Sequence, residues 1–181
     1  MSLVNLEKLK GKYLSGYMRD NVENLIEFEP YHCLFSGGMS ASLKVQNTYG
    51  ISSKQFLEWV LICDGGHLFD TVILTTKGHD STVDLDLDTY EEYNSPEAKE
   101  SYALPEGFVV FAIRSYGDPI CFNVKENDGK VYLWNLEKAD FDDIWDSFED
   151  WLTEEIDDAI RLIAEDALDP MGVKIGGEDD E

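Results

Sequence analysis

The side chains able to do chemistry in this chain are three histidines, three cysteines and a dense population of carboxylates. His32, His67 and His79 stand far apart, and none falls in the spacing of a zinc site or a catalytic triad. There is no His-Glu-x-x-His, no Gly-x-Ser-x-Gly and no glycine loop poised to cradle a phosphate. Gly65-Gly66 follows a predicted helix instead of preceding one. His67 lies three residues after Asp64, but a turn histidine beside an aspartate is an incidental neighbour more often than a dyad. Asp84, Asp86 and Asp88 have the opening spacing of a calcium loop. Such a loop needs glycine at its sixth position and glutamate at its twelfth, where this chain has Thr89 and Ser95. Cys33, Cys63 and Cys121 form no Cys-x-x-Cys pair, and each sits among apolar residues, which reads as reduced, buried thiols. The chemistry-bearing residues therefore predict no enzyme, no metal and no cofactor.

The carboxylates are distributed unevenly. Of the net charge of −24, residues 1–79 contribute almost nothing, with 8 acidic and 7 basic side chains. Residues 80–136 hold 12 and 4, and residues 137–181 hold 18 and 3. Such a balance excludes nucleic acid and anionic membrane as direct partners, because like charges repel at every approach. It leaves a basic protein partner, or simple solubility, as its use. The longest apolar runs, Val60–Cys63 and Phe108–Ile113, fall far short of the roughly 20 residues that cross a bilayer. Lys8, Lys10 and Lys12 are followed by polar residues, not by an apolar signal core, so a cytoplasmic location is expected.

Several elements follow from local pattern. Leu3, Leu6, Leu9 and Tyr13 suggest a short helix weakened by Gly11 and Gly16, and Asn24–Glu29 alternates loosely up to Pro30. Ser40 can cap a helix that Gly50 ends. Ser52 and Gln55 read as a capping box for a second helix with a Phe56, Leu57, Val60, Leu61 stripe, stopped by Asp64-Gly65-Gly66. Leu68–Thr76 is rich in β-branched residues and reads as one strand. Residues 77–106 are polar, with an alternating Val83–Asp88 run inside a variable excursion. Phe108–Ser115, Pro119–Val124 and Lys130–Asn135, separated by Tyr116-Gly117-Asp118 and Glu126–Gly129, form an antiparallel meander. Ser147 and Asp150 then cap a long helix. Its apolar residues, Phe148, Trp151, Leu152, Ile156, Ala159, Ile160, Ile163, Ala167 and Leu168, share one face up to Asp169-Pro170. Helices, a meander and a covering helix make an α+β domain.

This order resembles the SUKH superfamily, which contains the yeast cell-wall-synthesis and killer-toxin-resistance regulators and many bacterial toxin-immunity proteins. Three stretches carry the likeness. Tyr49–Trp59 running to Cys63-Asp64-Gly65-Gly66-His67-Leu68-Phe69 is similar to the family's helix pair and its Asn-Gly-Gly-type turn. Gly107–Ala112 followed by Tyr116–Asn123 resembles the family's strand, Gly-Asp turn and strand. Val131–Trp134 with Ser147–Leu152 resembles the last strand and closing helix. Serine stands where a proline usually opens the second helix, and Asn123 where an aspartate is common. The resemblance divides the chain into an N-terminal extension (1–35), a SUKH-like domain (36–169) and an acidic flexible tail (170–181). It implies a non-catalytic, protein-binding role, either as an immunity protein that neutralises a cognate toxin, often a nuclease, or as a regulatory scaffold without one.

The candidate contact residues come from the charge argument. Asp146, Glu149 and Asp150 face the positive end of the closing helix's dipole, worth about 0.3–1 kcal/mol each. Beyond the first turn that explanation fades, and Asp150, Glu154 and Asp158 repeat at i,i+4, where like charges cost on the order of 0.2–0.5 kcal/mol per pair. Arg161, four residues after Asp157, is the local counter-charge. Asp140, Asp142 and Asp143 before the cap, and Glu154, Glu155 and Asp158 after it, are therefore expected to meet a basic protein such as a toxin domain, or to serve solubility.

Overall fold

In a computed structural model, residues 32–68, 71–77, 79, 80, 85, 86 and 88–164 are described. The expected helix near Leu3–Tyr13, the Asn24–Glu29 run, the stop at Asp169-Pro170 and the acidic tail lie outside them. So do Ala167 and Leu168 and the Val83, Asp84 and Leu87 part of the alternating run. Seven strands form one antiparallel sheet in the order β1 (His32–Ser36), β2 (Cys63–Leu68), β3 (Thr71–Ile73), β6 (Phe108–Arg114), β7 (Pro119–Asn123), β8 (Val131–Asn135) and β9 (Asp140–Trp145). A separate two-stranded ribbon joins β4 (His79–Asp80) to β5 (Leu85–Asp86). Five helices accompany them among the described residues: α1 (Met39–Tyr49), α2 (Lys54–Ile62), α3 (Tyr90–Tyr93), α4 (Pro96–Ser101) and α5 (Phe148–Ala164). The α+β architecture is the expected one. The sheet, however, starts earlier than expected: β1 pairs with β2 from His32↔Leu68 onward, inside the stretch assigned to an N-terminal extension.

The helix pair forms much as its punctuation predicts. Gly50 takes the left-handed conformation at φ 74° and its N–H closes α1 on the Gln46 carbonyl. Ser40 is not the cap: α1 starts one residue before it, and the N-cap is Gly38, without a side-chain bond. In α2 the cap is Ser53, whose hydroxyl accepts from the Phe56 N–H at 3.4 Å. The Ser52–Gln55 box does not form, because both side chains have distant partners. Ser52 donates to the Asn127 side-chain oxygen, and the Gln55 amide reaches Glu149 on α5 at 3.1 Å. Phe56, Trp59 and Val60 are buried, whereas Leu61 is 41% exposed; a 100° step beyond Val60 turns it outward.

Asp64-Gly65-Gly66 does not stop the helix by turning. The helix ends at Ile62 and passes directly into β2, with the triplet inside the strand. The buried Asp64 carboxylate accepts from the Thr76 N–H at 2.9 Å and the Thr76 hydroxyl at 2.6 Å, fastening β2 to the chain leaving β3. Gly65 sits at φ 87°, and a Cβ there would lie 2.6 Å from the Thr75 Cβ and 2.9 Å from its backbone. Gly65→Ala is expected to lose about 2–4 kcal/mol in urea denaturation from strain and crowding together. A loss under about 0.5 kcal/mol would mean that Thr75 can move aside.

The stretch read as one strand, Leu68–Thr76, spans the close of β2, the whole of β3 and the chain leaving it, with β2 and β3 paired from Leu68↔Thr71 to Gly66↔Ile73. The polar excursion that follows holds two short helices with caps legible in the sequence. Thr89 and Glu92 form a capping box, bonded at 3.2 Å and 3.1 Å, and Ser95 caps Pro96 by accepting from the Ala98 N–H at 3.1 Å. Helices of four and six residues are too short to show a period. Where β3 ends, Asn94 takes a strand's place beside β6: its side-chain oxygen accepts from the Val110 N–H at 2.8 Å and its NH₂ donates to the Val110 carbonyl at 2.9 Å. The same segment covers one sheet face, where the Trp134 indole donates to the Tyr102 carbonyl at 2.8 Å.

The other face carries the main core. Phe56 of α2 meets Phe111, Phe122 and Phe148 with ring centroids at 5.0, 5.1 and 5.0 Å, and Trp151 of α5 stands edge-on to Phe111 at 5.1 Å. Phe148, Trp151, Leu152 and Ile156 of the expected α5 stripe are buried there. Cys63 and Cys121 are buried free thiols, and burial pushes the Cys63 thiol up to about 12 and that of Cys121 further still.

Candidate functional site

Residues 140–145, expected only as an acidic run before a helix, form the outermost strand of the sheet. Its register with β8 runs Val131↔Trp145, Tyr132↔Ile144 and Leu133↔Asp143. It then shifts to Trp134↔Phe141 and Asn135↔Asp140, so Asp142 is the extra residue of a bulge. Paired residues share a face, so Asp143 and Trp145 lie on the side of Leu133 and Val131, together with Asp140. Phe141 and Ile144 lie on the side of Tyr132 and Trp134, and Phe141 meets those rings at 5.2 and 4.8 Å. The strand thus places Asp140 and Asp143 on one face, ahead of the buried Trp145, and Phe141 and Ile144 on the other. Ile144 is 55% exposed.

α5 adjoins the acidic face. The Trp145 indole donates to the Glu154 carboxylate at 2.8 Å, tying the end of β9 to the second turn of the helix. The helix start is closed by the Asp150 N–H on the Ser147 hydroxyl at 3.2 Å, with that hydroxyl donating to the Asp150 carboxylate at 2.7 Å. This is the expected acidic cap, with the return bond made to the hydroxyl.

Asp140, Asp142, Asp143, Glu154 and Asp158 are all exposed. Two nearby acids have local counter-charges. Lys138 and Asn135 hold the Asp142 carboxyl below its ordinary range, the lysine at 2.7 Å, and Lys130 does the same to Asp146 at 2.7 Å. Both pairs are in open water, where such bridges are weak. The Asp140 carboxylate accepts from the Phe141 N–H at 2.8 Å, and Asp143 has no side-chain hydrogen bond or ion pair among the described residues.

Glu155 must be removed from the expected contact set. It is 6% exposed, and its carboxylate is gripped by the Arg114 guanidinium at 2.6 and 2.7 Å and by the Thr71 hydroxyl at 2.9 Å. Arg114 also donates to the Thr71 oxygen at 2.9 Å, so β3, β6 and α5 meet in one polar cluster. The fold itself requires this acid. Sequence spacing pointed to Arg161 as the nearby counter-charge, and the one that matters here is 41 residues away.

Other candidate groups are taken up structurally. Asp64 is committed to Thr76, and no hydrogen bond joins it to His67. Asp88 accepts from the Tyr93 hydroxyl at 2.8 Å, while Thr89 and Ser95, at the positions where a calcium loop needs glycine and glutamate, are helix caps. Asp118 accepts from the Leu136 N–H at 3.1 Å within the Gly117 turn, where Gly117 has φ 105°. A cleft of about 270 Å³ opens between Lys44, Tyr49, Thr75 and Glu91, but Lys44 is bonded to the Thr76 carbonyl at 2.8 Å. Among the described residues no three His, Cys, Asp or Glu side chains are grouped to hold a metal, and no helix is long and apolar enough to cross a membrane.

No curated protein matches the chain. A family model does match it, over residues 44–154, a span from the middle of α1 to Glu154 that includes the whole of β9 and leaves Asp158 beyond its end. With more than half of the chain covered and the fold in agreement with the likeness, this protein belongs to the SMI1 / KNR4 family (SUKH-1).

Proposed function

We propose that this protein acts in the cytoplasm, without catalysis, by binding a cationic protein, and that the partner is a toxin domain whose basic groove the acidic face occupies. The observation that carries this reading is the placement of Asp140 and Asp143 on the free edge of the sheet, on the face adjoined by Glu154 of α5. Caps and the helix dipole account for Asp150, and lysines partner Asp142 and Asp146. Neither explanation reaches Asp143. A nuclease needs a cationic groove for its own substrate, and an acidic inhibitor is complementary to it. The likeness to toxin-immunity proteins within the SUKH superfamily points the same way.

Complementary charge raises association rates more than it deepens affinity. In surface plasmon resonance against a toxin domain found encoded beside this protein, the association rate is expected to fall at least about tenfold between about 50 and 300 mM salt. Asp140→Lys with Asp143→Lys is expected to lower the low-salt rate by a similar factor and to flatten the salt dependence. Rates indifferent to both salt and substitution would sink the acidic-face reading. Absence of binding to the neighbouring toxin, with binding to another protein of the host, would favour a regulatory scaffold.

A further inference from the structure

The free side of β9 has properties that charge alone does not describe. Among the described residues no strand pairs with it, and alternate residues of an edge strand point their N–H and C=O groups away from the sheet. A strand laid against that edge would meet Asp143 with one set of alternate side chains, and Ile144 beside Tyr132 with the other. We infer that β9 accepts an extended segment of the cationic partner as an additional strand, one in which lysine or arginine alternates with apolar residues. This rests on the acidic-face reading and gives it a geometry: backbone bonds supply affinity, and the alternation fixes register and side.

The features that normally guard an edge sharpen the choice. The bulge at Asp142 shortens the regular edge, and the acids repel other acidic strands. A second copy of this chain would bring one acidic β9 against another, which places like charges across the new pair. A cationic, alternating strand escapes the charge obstacles and needs only the regular stretch Asp143–Trp145 beyond the bulge. Ile144, 55% exposed on the face opposite Asp143, gives an added strand an apolar contact as well as a charged one.

The test uses three fluorescent peptide amides of one composition with the full-length protein at low salt. They are the alternating Lys-Val-Arg-Val-Lys-Val, the shuffled Lys-Arg-Lys-Val-Val-Val, and the alternating peptide N-methylated at every second residue. The alternating peptide is expected to bind at least about tenfold more tightly than either control and to shift the backbone amide signals of residues 143–145. Ile144→Lys and Asp143→Lys are each expected to weaken it by about tenfold; both side chains are exposed, so the fold tolerates the changes. Equal affinity for all three peptides overturns strand addition while leaving the acidic face intact as a binding surface. No binding of any cationic peptide overturns both. A dimer in sedimentation that Ile144→Lys dissolves would make the edge's occupant a second copy and overturn the proposal in that direction.

Discussion

Glu155→Ala is expected to lower folding stability by about 3–5 kcal/mol, and Arg114→Ala by a similar amount. Each removes a counter-ion that a buried side chain is bonded to, the Arg114 and Glu155 side chains being only 15% and 5% exposed. The loss comes mainly from the orphaned partner, not from the intrinsic worth of the bridge, because desolvation already consumes most of the attraction. That distinction has its own readout. A joint replacement, Arg114→Met with Glu155→Leu and Thr71→Val, removes the ion pair together with the hydroxyl that bonds both its members, and is expected to recover most of the stability that the single variants lose. Denaturant titrations of the single and joint variants decide the matter. If Glu155→Ala costs less than about 1 kcal/mol, water reaches the carboxylate and the cluster is not a buried lock.

Phe56→Ala is expected to cost about 3–5 kcal/mol, for a different reason. Phe56 is fully buried and meets Phe111 of β6, Phe122 of β7 and Phe148 of α5 at about 5 Å each, so its removal leaves a cavity bounded by three elements. Rings on two strands and a second helix cannot all collapse into the same void. Leu61→Ala, on the outward side of the same helix, is the control and is expected to cost under about 1 kcal/mol. Comparable losses at the two positions would mean that α2 packs through a different face.

Much of this architecture is legible because local chemistry and tertiary context agree. Gly50 ends α1, the Gly117-Asp118 and Asn127–Gly129 turns separate β6, β7 and β8, and Ser147 opens α5. What escaped reading has physical causes. β9 is half aspartate, a residue that disfavours strands, and its bulge brings Phe141 and Ile144 to one face at a spacing of three, which breaks the alternation that marks a strand. Phe141, Ile144 and Trp145 were the available signal. The caps at Thr89 and Ser95 were visible, but one-turn helices give no periodicity to join to them.

The candidate site divides in the same way. Charge counting finds exposed acids such as Asp140 and Asp143, because exposure is the default for a carboxylate. It cannot find Glu155's withdrawal, which depends on a guanidinium brought from another strand, nor the edge position of β9, which is a property of sheet order. The acids proposed for recognition are thus separated from the structural ones by topology, not by type.

Since α5 follows every described strand, ribosomal synthesis delivers Phe111 and Phe122 well before the Phe148 and Trp151 rings that close over them. The nascent chain therefore passes through an interval in which its largest aromatic face lacks its final cover, a state prone to association. The last residues made before that cover, 137–146, carry five of the acids, so negative charge emerges at the tunnel exit while the face is still open.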